Sequence, residues 1–279
     1  MLKVIADSTC NLSQETLDEY DIRIAPIPIQ FGDETFEEGV DIDRDLFYKK
    51  IEETGIIPTS SQPTPAWFGR YYKELHQQGH SILVITVTGK HSGTFNSATM
   101  AKSLAPEADV HVFDSKSISL GTGWMVLEAV RAIKAGVGQS DVVIRIEAIR
   151  ERARLFMTPA TLKYLQMSGR VGTLQGALAS LLSIKPIIHL KDGLLEVLGN
   201  VRTRGKSLDQ LIDRLEEAVG TTAPVNLAVM HARAREEGLS VLERAKDVFN
   251  VQEALFGDLV ASLSAHGGPG IIGLFAYPI

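Results

Sequence analysis

An apolar run over residues 81–88, SILVITVT, constrains the fold more than any other stretch of this chain. A strand that is apolar at successive positions leaves no face for water, so other elements must cover both of its sides. Such strands are typical of parallel sheets with helices packed on both faces. Segments of strand and helix character alternate through the first half of the chain, which predicts a parallel sheet with right-handed crossovers.

The other elements of the first half follow from periodicity, caps and prolines. We predict a strand LKVIA ending at Asp7, a short helix capped by Ser13, an edge or irregular strand IRIAPIPIQF, helices over 43–54 and 65–78, a small helix from Thr94, a strand DVHVFD and a helix from about Ser119 to Ala135. These elements form a predicted α/β domain over residues 1–153.

The second half has a different pattern. IKPIIHL and LLEVLGN flank Lys191-Asp192-Gly193, which is a hairpin signature. SLDQLIDRLEEAVG carries one apolar stripe and predicts an amphipathic helix capped by Ser207. Hairpins beside helices indicate an α+β domain with a largely antiparallel sheet, and we place it at residues 154–279.

Charge and cysteine content limit the classes of partner and site that this chain could have. The 28 basic and 34 acidic residues give a net charge of −6, which argues against a nucleic-acid partner. Residues 145–206 nevertheless carry 11 basic and 4 acidic groups, a local +7 that suits a small anion or an acidic protein surface. Cys10 is the only cysteine, so an intrachain disulfide and a paired-cysteine zinc site are excluded. Without a signal peptide or a membrane-length apolar run, we expect a soluble cytoplasmic protein with no stable membrane insertion.

Three hydroxyl-rich loops compete for the ligand crevice at the carboxyl edge of the predicted parallel sheet. They are DSTCNLS (7–13), TSSQPTP (59–65) and HSGTFNS (91–97). Serine and threonine hydroxyls are rotatable donors, and free N–H groups at helix starts add to them. Together these loops predict an anion-binding site.

Other interpretations of these residues remain open. Ser92 could be a catalytic nucleophile with distant His266 as its base, although the first glycine of an α/β-hydrolase elbow is out of register. Asp7 and Asp114, each just after a strand, could hold Mg²⁺. The hydroxyls could also simply cap helices, and the protein could be a scaffold without a ligand.

The order of several motifs resembles the DegV family over essentially the whole chain. These motifs are DSTCNL, SSQPTP, SGTFNSA, TLKYL with SGR, KPI, VRTRGK and HGGPGIIG. The sequence departs from the family pattern at Ser60, where threonine is usual, and at Ser168, where glycine is usual.

The resemblance implies a two-domain protein that binds one long-chain, palmitate-like fatty acid between its domains, with the second domain covering the acyl chain. It assigns the carboxylate to Ser60 and Ser92, and Ser61, Gly93, Thr94 and His266 belong to the same ligand site. It also implies a separate ATP-dependent fatty acid kinase as partner, which forms an acyl phosphate for phospholipid synthesis, with Arg170, Arg202 and His266 contacting the acyl phosphate or the kinase. On this basis we expect a carrier without cofactor, metal or catalytic residues. A serine-dependent esterase or acyl-transfer enzyme using Ser92 is the alternative.

Overall fold

In this computed structural model, residues 1–169 and 184–279 are described, and the chain divides into two compact units. The first unit comprises Met1–Arg150 and Val260–Ser262, and the second comprises Glu151–Leu259 and Leu263–Ile279. The first unit therefore ends at Arg150, whereas the sequence suggested a boundary at residue 153. The short segment Val260–Ser262 also belongs to the first unit.

The first unit contains seven strands and six helices, the last of which extends two residues past the unit's boundary. Its strands are β1 (Leu2–Asp7), β2 (Arg23–Ala25), β3 (Pro28–Phe31), β4 (Glu34–Glu37), β5 (Thr59–Ser60), β6 (Ser81–Thr86) and β7 (Val110–Asp114). Its helices are α1 (Gln14–Glu19), α2 (Arg44–Thr54), α3 (Pro65–Gln77), α4 (Thr94–Met100), α5 (Leu120–Lys134) and α6 (Gln139–Arg152), with short 3-10 turns at Ser8–Cys10 and Ala101–Leu104.

The parallel sheet predicted from the apolar run is confirmed. Its strands lie in the order β2-β1-β6-β7, and every pair is parallel. The run itself forms β6, an inner strand whose residues from Ile82 to Ile85 are fully buried. Phe68 and Tyr72 of α3 belong to the core cluster that covers this strand. Ser13 caps α1 as predicted, since its hydroxyl accepts the N–H of Thr16 at 3.2 Å.

The segment IRIAPIPIQF, for which we predicted an edge or irregular strand, forms two strands and not one. The segment breaks into β2, at the edge of the parallel sheet, and β3, in the middle of a separate antiparallel sheet ordered β4-β3-β5. Pro26 lies at the break, and a proline has no N–H with which to continue a ladder. Pro28 is tolerated in the middle strand because it is that strand's first residue.

The second unit contains six strands and four helices among its described residues. Its strands are β8 (Arg154–Thr158), β9 (Lys185–Lys191), β10 (Leu194–Val201), β11 (Pro224–His231), β12 (Asn250–Asp258) and β13 (Ile272–Pro278). Its helices are α7 (Lys163–Met167), α8 (Arg204–Val219), α9 (Arg235–Val248) and α10 (Ala261–Gly267), the last of which starts in residues assigned to the first unit.

The sheet of this unit is largely antiparallel, as predicted. Its order is β10-β9-β8-β13-β11-β12, and only the β11–β12 pair is parallel. The β9–β10 hairpin turns at Asp192 and Gly193, which both have positive φ, as a two-residue hairpin turn requires. Leu211 and Leu215 of α8 are fully buried against this sheet.

Ser207 does not cap α8. The helix begins at Arg204, and Thr203 is its N-cap, with its hydroxyl accepting the Lys206 N–H at 3.3 Å. Ser207 lies inside the first turn and donates to the Arg204 carbonyl at 2.8 Å. Serine and threonine are both good N-caps. The apolar stripe begins at Leu208, which made Ser207 look like the residue before the helix. Within 1–169 and 184–279, no helix is both long enough and apolar enough to cross a membrane.

Candidate functional site

The candidate site lies at the carboxyl edge of the first unit's parallel sheet. The chain passes from β1 outward to β2 on one side and returns through β6 to β7 on the other, so the strand order reverses between β1 and β6. Ligands of open α/β sheets bind at such switch points, beyond the carboxyl ends of the strands. The loops after β1 and β6 both begin here.

Asp7, the last residue of β1, connects these two loops. One carboxylate oxygen accepts the backbone N–H of Val87, which follows β6, at 2.7 Å. The other accepts the N–H of Thr9 at 3.1 Å and also contacts the Thr9 hydroxyl. The carboxyl group is completely buried, and this desolvation raises its pKa to about 6 although the hydrogen bonds from Thr9 and Val87 act in the opposite direction.

Asp114 holds the same loop from its other side. Its Oδ1 accepts the N–H of Gly89 at 3.2 Å and that of Lys116 at 2.9 Å. Both aspartates that the sequence offered as magnesium ligands are thus acceptors for backbone N–H groups. The described part of the chain contains no group of three or more His, Cys, Asp or Glu side chains that could hold a metal ion.

The loop fixed by these aspartates carries Ser92, which is half-buried directly before α4. The Ser92 Oγ lies 2.9 Å from the Thr94 hydroxyl and accepts the Thr94 N–H at 3.3 Å. Thr94 itself is fully buried. Among the described residues, both side-chain hydrogen bonds of Ser92 are made with Thr94, and its backbone N–H donates to the Thr88 carbonyl at 3.3 Å.

Ser60 and Ser61 lie at the end of β5. Ser60 is half-buried and pairs with Ile29 of β3. The Ser61 N–H donates to the Pro28 carbonyl at 3.0 Å, and its hydroxyl accepts from the Gln30 side chain at 3.1 Å. The antiparallel sheet therefore fixes the backbone of the second hydroxyl loop.

Gln62 brings the second and third loops together, and the sequence analysis did not single it out. Its side chain lies over Gly93, where an added Cβ would be 2.9 Å from the Gln62 Cδ. A side chain at position 93 would therefore displace the Gln62 side chain, and Gly93 lies between Ser92 and Thr94. The pairing of a glutamine in one hydroxyl loop with a glycine in the other is the signal that could have revealed this contact.

Glu38 is a second residue that sequence reasoning missed. Its carboxylate accepts the Ser262 N–H at 2.6 Å and the Ser262 hydroxyl at 2.8 Å, and the Ser8 hydroxyl also donates to it. Burial raises the pKa of this carboxyl group. Glu38 is two residues after the partly buried Phe36, so strand periodicity could have shown that it faces inward.

The remaining predicted residues belong to the second unit or lie outside the described residues. His266 is half-buried in the last turn of α10, and Arg202 is exposed directly after β10. Arg170 lies outside the described residues.

Comparison with known proteins gives a family for this architecture. A family model described as an uncharacterised protein of the DegV family matches residues 1–279. A DegV domain-containing protein of Staphylococcus aureus is 33% identical over 271 residues, which cover 97% of this chain and 96% of that protein.

Solved structures agree over the full length. A fatty-acid-binding DegV family protein from Thermus thermophilus is 28% identical with a TM-score of 0.92, covering 100% of this chain and 99% of that one. A stearic-acid-binding protein from Eubacterium ventriosum is 27% identical with a TM-score of 0.92, covering 100% and 98%. The chain therefore belongs to the DegV family, as the order of its motifs indicated.

Proposed function

We propose that this protein binds a long-chain fatty acid and that the hydroxyls of Ser60 and Ser92 bind its carboxylate. The observation that carries the proposal is the contact of Gln62 with Gly93, because it brings the hydroxyl loop after β5 against the hydroxyl loop at the carboxyl end of β6. The structural relatives from Thermus thermophilus and Eubacterium ventriosum, which bind fatty acids, support the same ligand class.

The Ser92 hydroxyl is able to donate to a ligand when Thr94 donates to it. A hydroxyl group has one donor and two acceptor positions, and Ser92 Oγ already accepts the Thr94 N–H. When the Thr94 hydroxyl donates as well, both acceptor positions of Ser92 are used and its own proton is left for a ligand. A carboxylate is an acceptor-only group, so it fits a site of this kind.

The acyl chain supplies most of the binding free energy. Burying a methylene contributes about 0.8 kcal/mol, so a chain of about fourteen methylenes has a ceiling near 11 kcal/mol before the costs of association. A charge-assisted hydrogen bond adds only about 1.5–3 kcal/mol, but an unpaired buried carboxylate would be far more costly. The hydroxyls therefore determine which end of the ligand lies at the sheet edge, and the chain determines the affinity.

Solvent extraction of the purified full-length protein followed by mass spectrometry tests the proposal. We expect a stoichiometric long-chain acid from the wild type and at least roughly tenfold weaker retention in Ser92→Ala, equivalent to one charge-assisted hydrogen bond. Ser103→Ala is the matched control, because Ser103 is an exposed serine whose hydroxyl donates to the Met100 carbonyl. It should retain the acid like the wild type.

Two outcomes would contradict the proposal. A wild-type extract without long-chain acid, from a protein that also fails to take up added palmitate, would remove the ligand. Equal retention by Ser92→Ala and the wild type would remove Ser92 from the carboxylate site. Turnover of an acyl ester that disappears in Ser92→Ala would instead favour the esterase.

We also propose that the bound acid is presented to a separate ATP-dependent kinase that phosphorylates its carboxylate, with Arg202 and His266 contacting the acyl phosphate or the kinase. Arg202 supports this proposal because it is exposed within the segment 145–206, whose net charge is +7. Arg202→Ala should keep its fatty acid and slow acyl phosphate formation in the presence of a kinase. An unchanged rate would show that this arginine is not part of the contact.

A further inference from the structure

Arg204 differs sharply from its neighbour Arg202 in the VRTRGK motif. Its Nε donates to both carboxylate oxygens of Glu237 at 3.2 Å, and its Nη2 donates to one of them at 2.8 Å. Nη2 also donates to the Gly270 carbonyl at 2.6 Å, and Nη1 donates to the Thr158 carbonyl at 3.3 Å. The guanidinium thus joins the start of α8, the first turn of α9, the end of β8 and the glycine loop after α10.

The glycine loop, residues 267–270, directly follows His266. Gly268 and Gly270 have positive φ values of 72° and 83°. A Cβ on Gly270 would lie 2.6 Å from the Ala160 Cβ, and a Cβ on Gly268 would overlap the Tyr164 ring. At positions 268 and 270 the loop backbone therefore lies directly on the segment after β8, with no room for a side chain.

Backbone hydrogen bonds close the loop at both ends. The Gly268 N–H donates to the Ser264 carbonyl at 2.9 Å, which ties the loop to the helix carrying His266. The Gly270 N–H donates to the Ala232 carbonyl at 2.7 Å, and the Ala232 N–H donates to the Ile271 carbonyl at 3.1 Å. The hydrogen bond from Arg204 to the Gly270 carbonyl is made by a side chain and is also the shortest of these contacts.

We infer that Arg204 and Glu237 are positioning residues, which hold the glycine loop and thereby set the orientation of the His266 ring. Glu237 holds the planar guanidinium in one orientation, and the guanidinium then fixes the Gly270 carbonyl through an N–H that a lysine could not place in the same way. The significance of His266 for the headgroup rests on the proposed function, but the positioning itself does not.

Histidine-ring NMR on the isotopically labelled full-length chain tests this inference. His266 is identified as the ring signal that disappears in His266→Gln. We expect Glu237→Gln and Arg204→Lys to move that signal and to speed amide exchange at Gly270 by roughly tenfold or more, since each variant weakens the charge-assisted fork. Glu237→Gln keeps the size of the original side chain, Arg204→Lys keeps its positive charge, and chemical denaturation checks that each variant is folded.

The chain offers a matched control on the same two helices. Arg244 of α9 donates to Asp209 of α8 at 2.7 Å, and this ion pair is exposed and does not include the loop. Asp209→Asn should therefore leave the His266 signal and the Gly270 exchange rate at their wild-type values.

The inference is overturned if Glu237→Gln and Arg204→Lys leave the His266 signal in place, or if Asp209→Asn moves it as much as they do. Fatty acid extraction from the same preparations keeps the two proposals separate. A wild type that carries no fatty acid and takes up no added palmitate ends the proposed function, whereas the ring signal still shows whether Arg204 and Glu237 position His266.

Discussion

Asp7 makes the stability of this protein depend on pH in a direction opposite to that of most carboxylates. The group is fully buried between the loops after β1 and β6, and burial raises its pKa from 3.8 to about 6. In the unfolded chain it regains its ordinary pKa. Between these two values the folded protein binds the proton more tightly than the unfolded chain does, so stability falls as pH rises through this window.

The size of the effect follows from the shift. One pKa unit corresponds to about 1.4 kcal/mol, and a shift of about two units is therefore worth about 3 kcal/mol in total. The contribution is fully present below pH 3.8 and is lost once the pH passes 6. Between pH 4 and pH 7 we expect the position-7 contribution to the free energy of unfolding to drop by about 2–3 kcal/mol.

Urea denaturation of the wild type and of Asp7→Asn at several pH values measures this contribution. The asparagine keeps the shape of the side chain but cannot titrate, so the wild type's advantage in unfolding free energy over the variant should shrink as the pH rises. The pKa of Glu38 is raised as well, mainly by burial, and the charge of Asp7 contributes to this rise, so the difference between wild type and variant reports Asp7 together with its coupling to Glu38. A difference that is constant with pH, or that grows towards pH 7, would refute the reasoning, because it would mean that the N–H groups of Thr9 and Val87 stabilise the ionised carboxylate more than burial destabilises it.

Two further predictions concern the loops and the helix caps. Gly93→Ala should weaken fatty acid retention, because its Cβ would lie 2.9 Å from the Gln62 Cδ, and Gln62→Ala in the same chain should recover part of the loss by extraction and mass spectrometry. No recovery in the double variant would contradict the contact. Thr203→Ala should lower the free energy of unfolding by about 1 kcal/mol and expose the Lys206 amide to exchange, whereas Ser207→Ala should leave that amide protected. The reverse pattern would make Ser207 the cap.

The sequence predicted the elements that are determined locally. The buried strand β6 has an apolar pattern that only a covered strand can satisfy, and α3 starts at Pro65, where a missing N–H costs nothing. Placing the hydroxyl loops after β1 and β6 at the carboxyl edge of the parallel sheet required only the direction of its strands, whereas the remaining hydroxyl loop follows β5 of the separate antiparallel sheet. The order of the motifs along the whole chain then indicated the family.

What the sequence could not predict depends on pairing between distant segments. The break between β2 and β3 needs a partner sheet for the second piece, and nothing local to IRIAPIPIQF reveals β4 or β5 as that partner. Arg202 and Arg204 are both arginines of the VRTRGK motif. Only the three-dimensional positions of Glu237, Thr158 and Gly270 show that Arg204 is hydrogen-bonded within the fold, whereas Arg202 is exposed.

The strand-end aspartates show how the same pattern can support two chemistries. Asp7 and Asp114 have the sequence positions of metal ligands, yet each accepts N–H groups of the loop that carries Ser92. A loop fixed from both sides does not have to be ordered when a ligand arrives, so the entropy cost of binding falls mainly on the ligand. The buried Asp7 carboxyl group favours its neutral form below pH 6. Asp7 therefore adds least negative charge to the edge of the parallel sheet under mildly acidic conditions. The proposed carboxylate site thus combines the hydroxyl groups of Ser92 and Thr94 with a loop whose backbone is held by both aspartates.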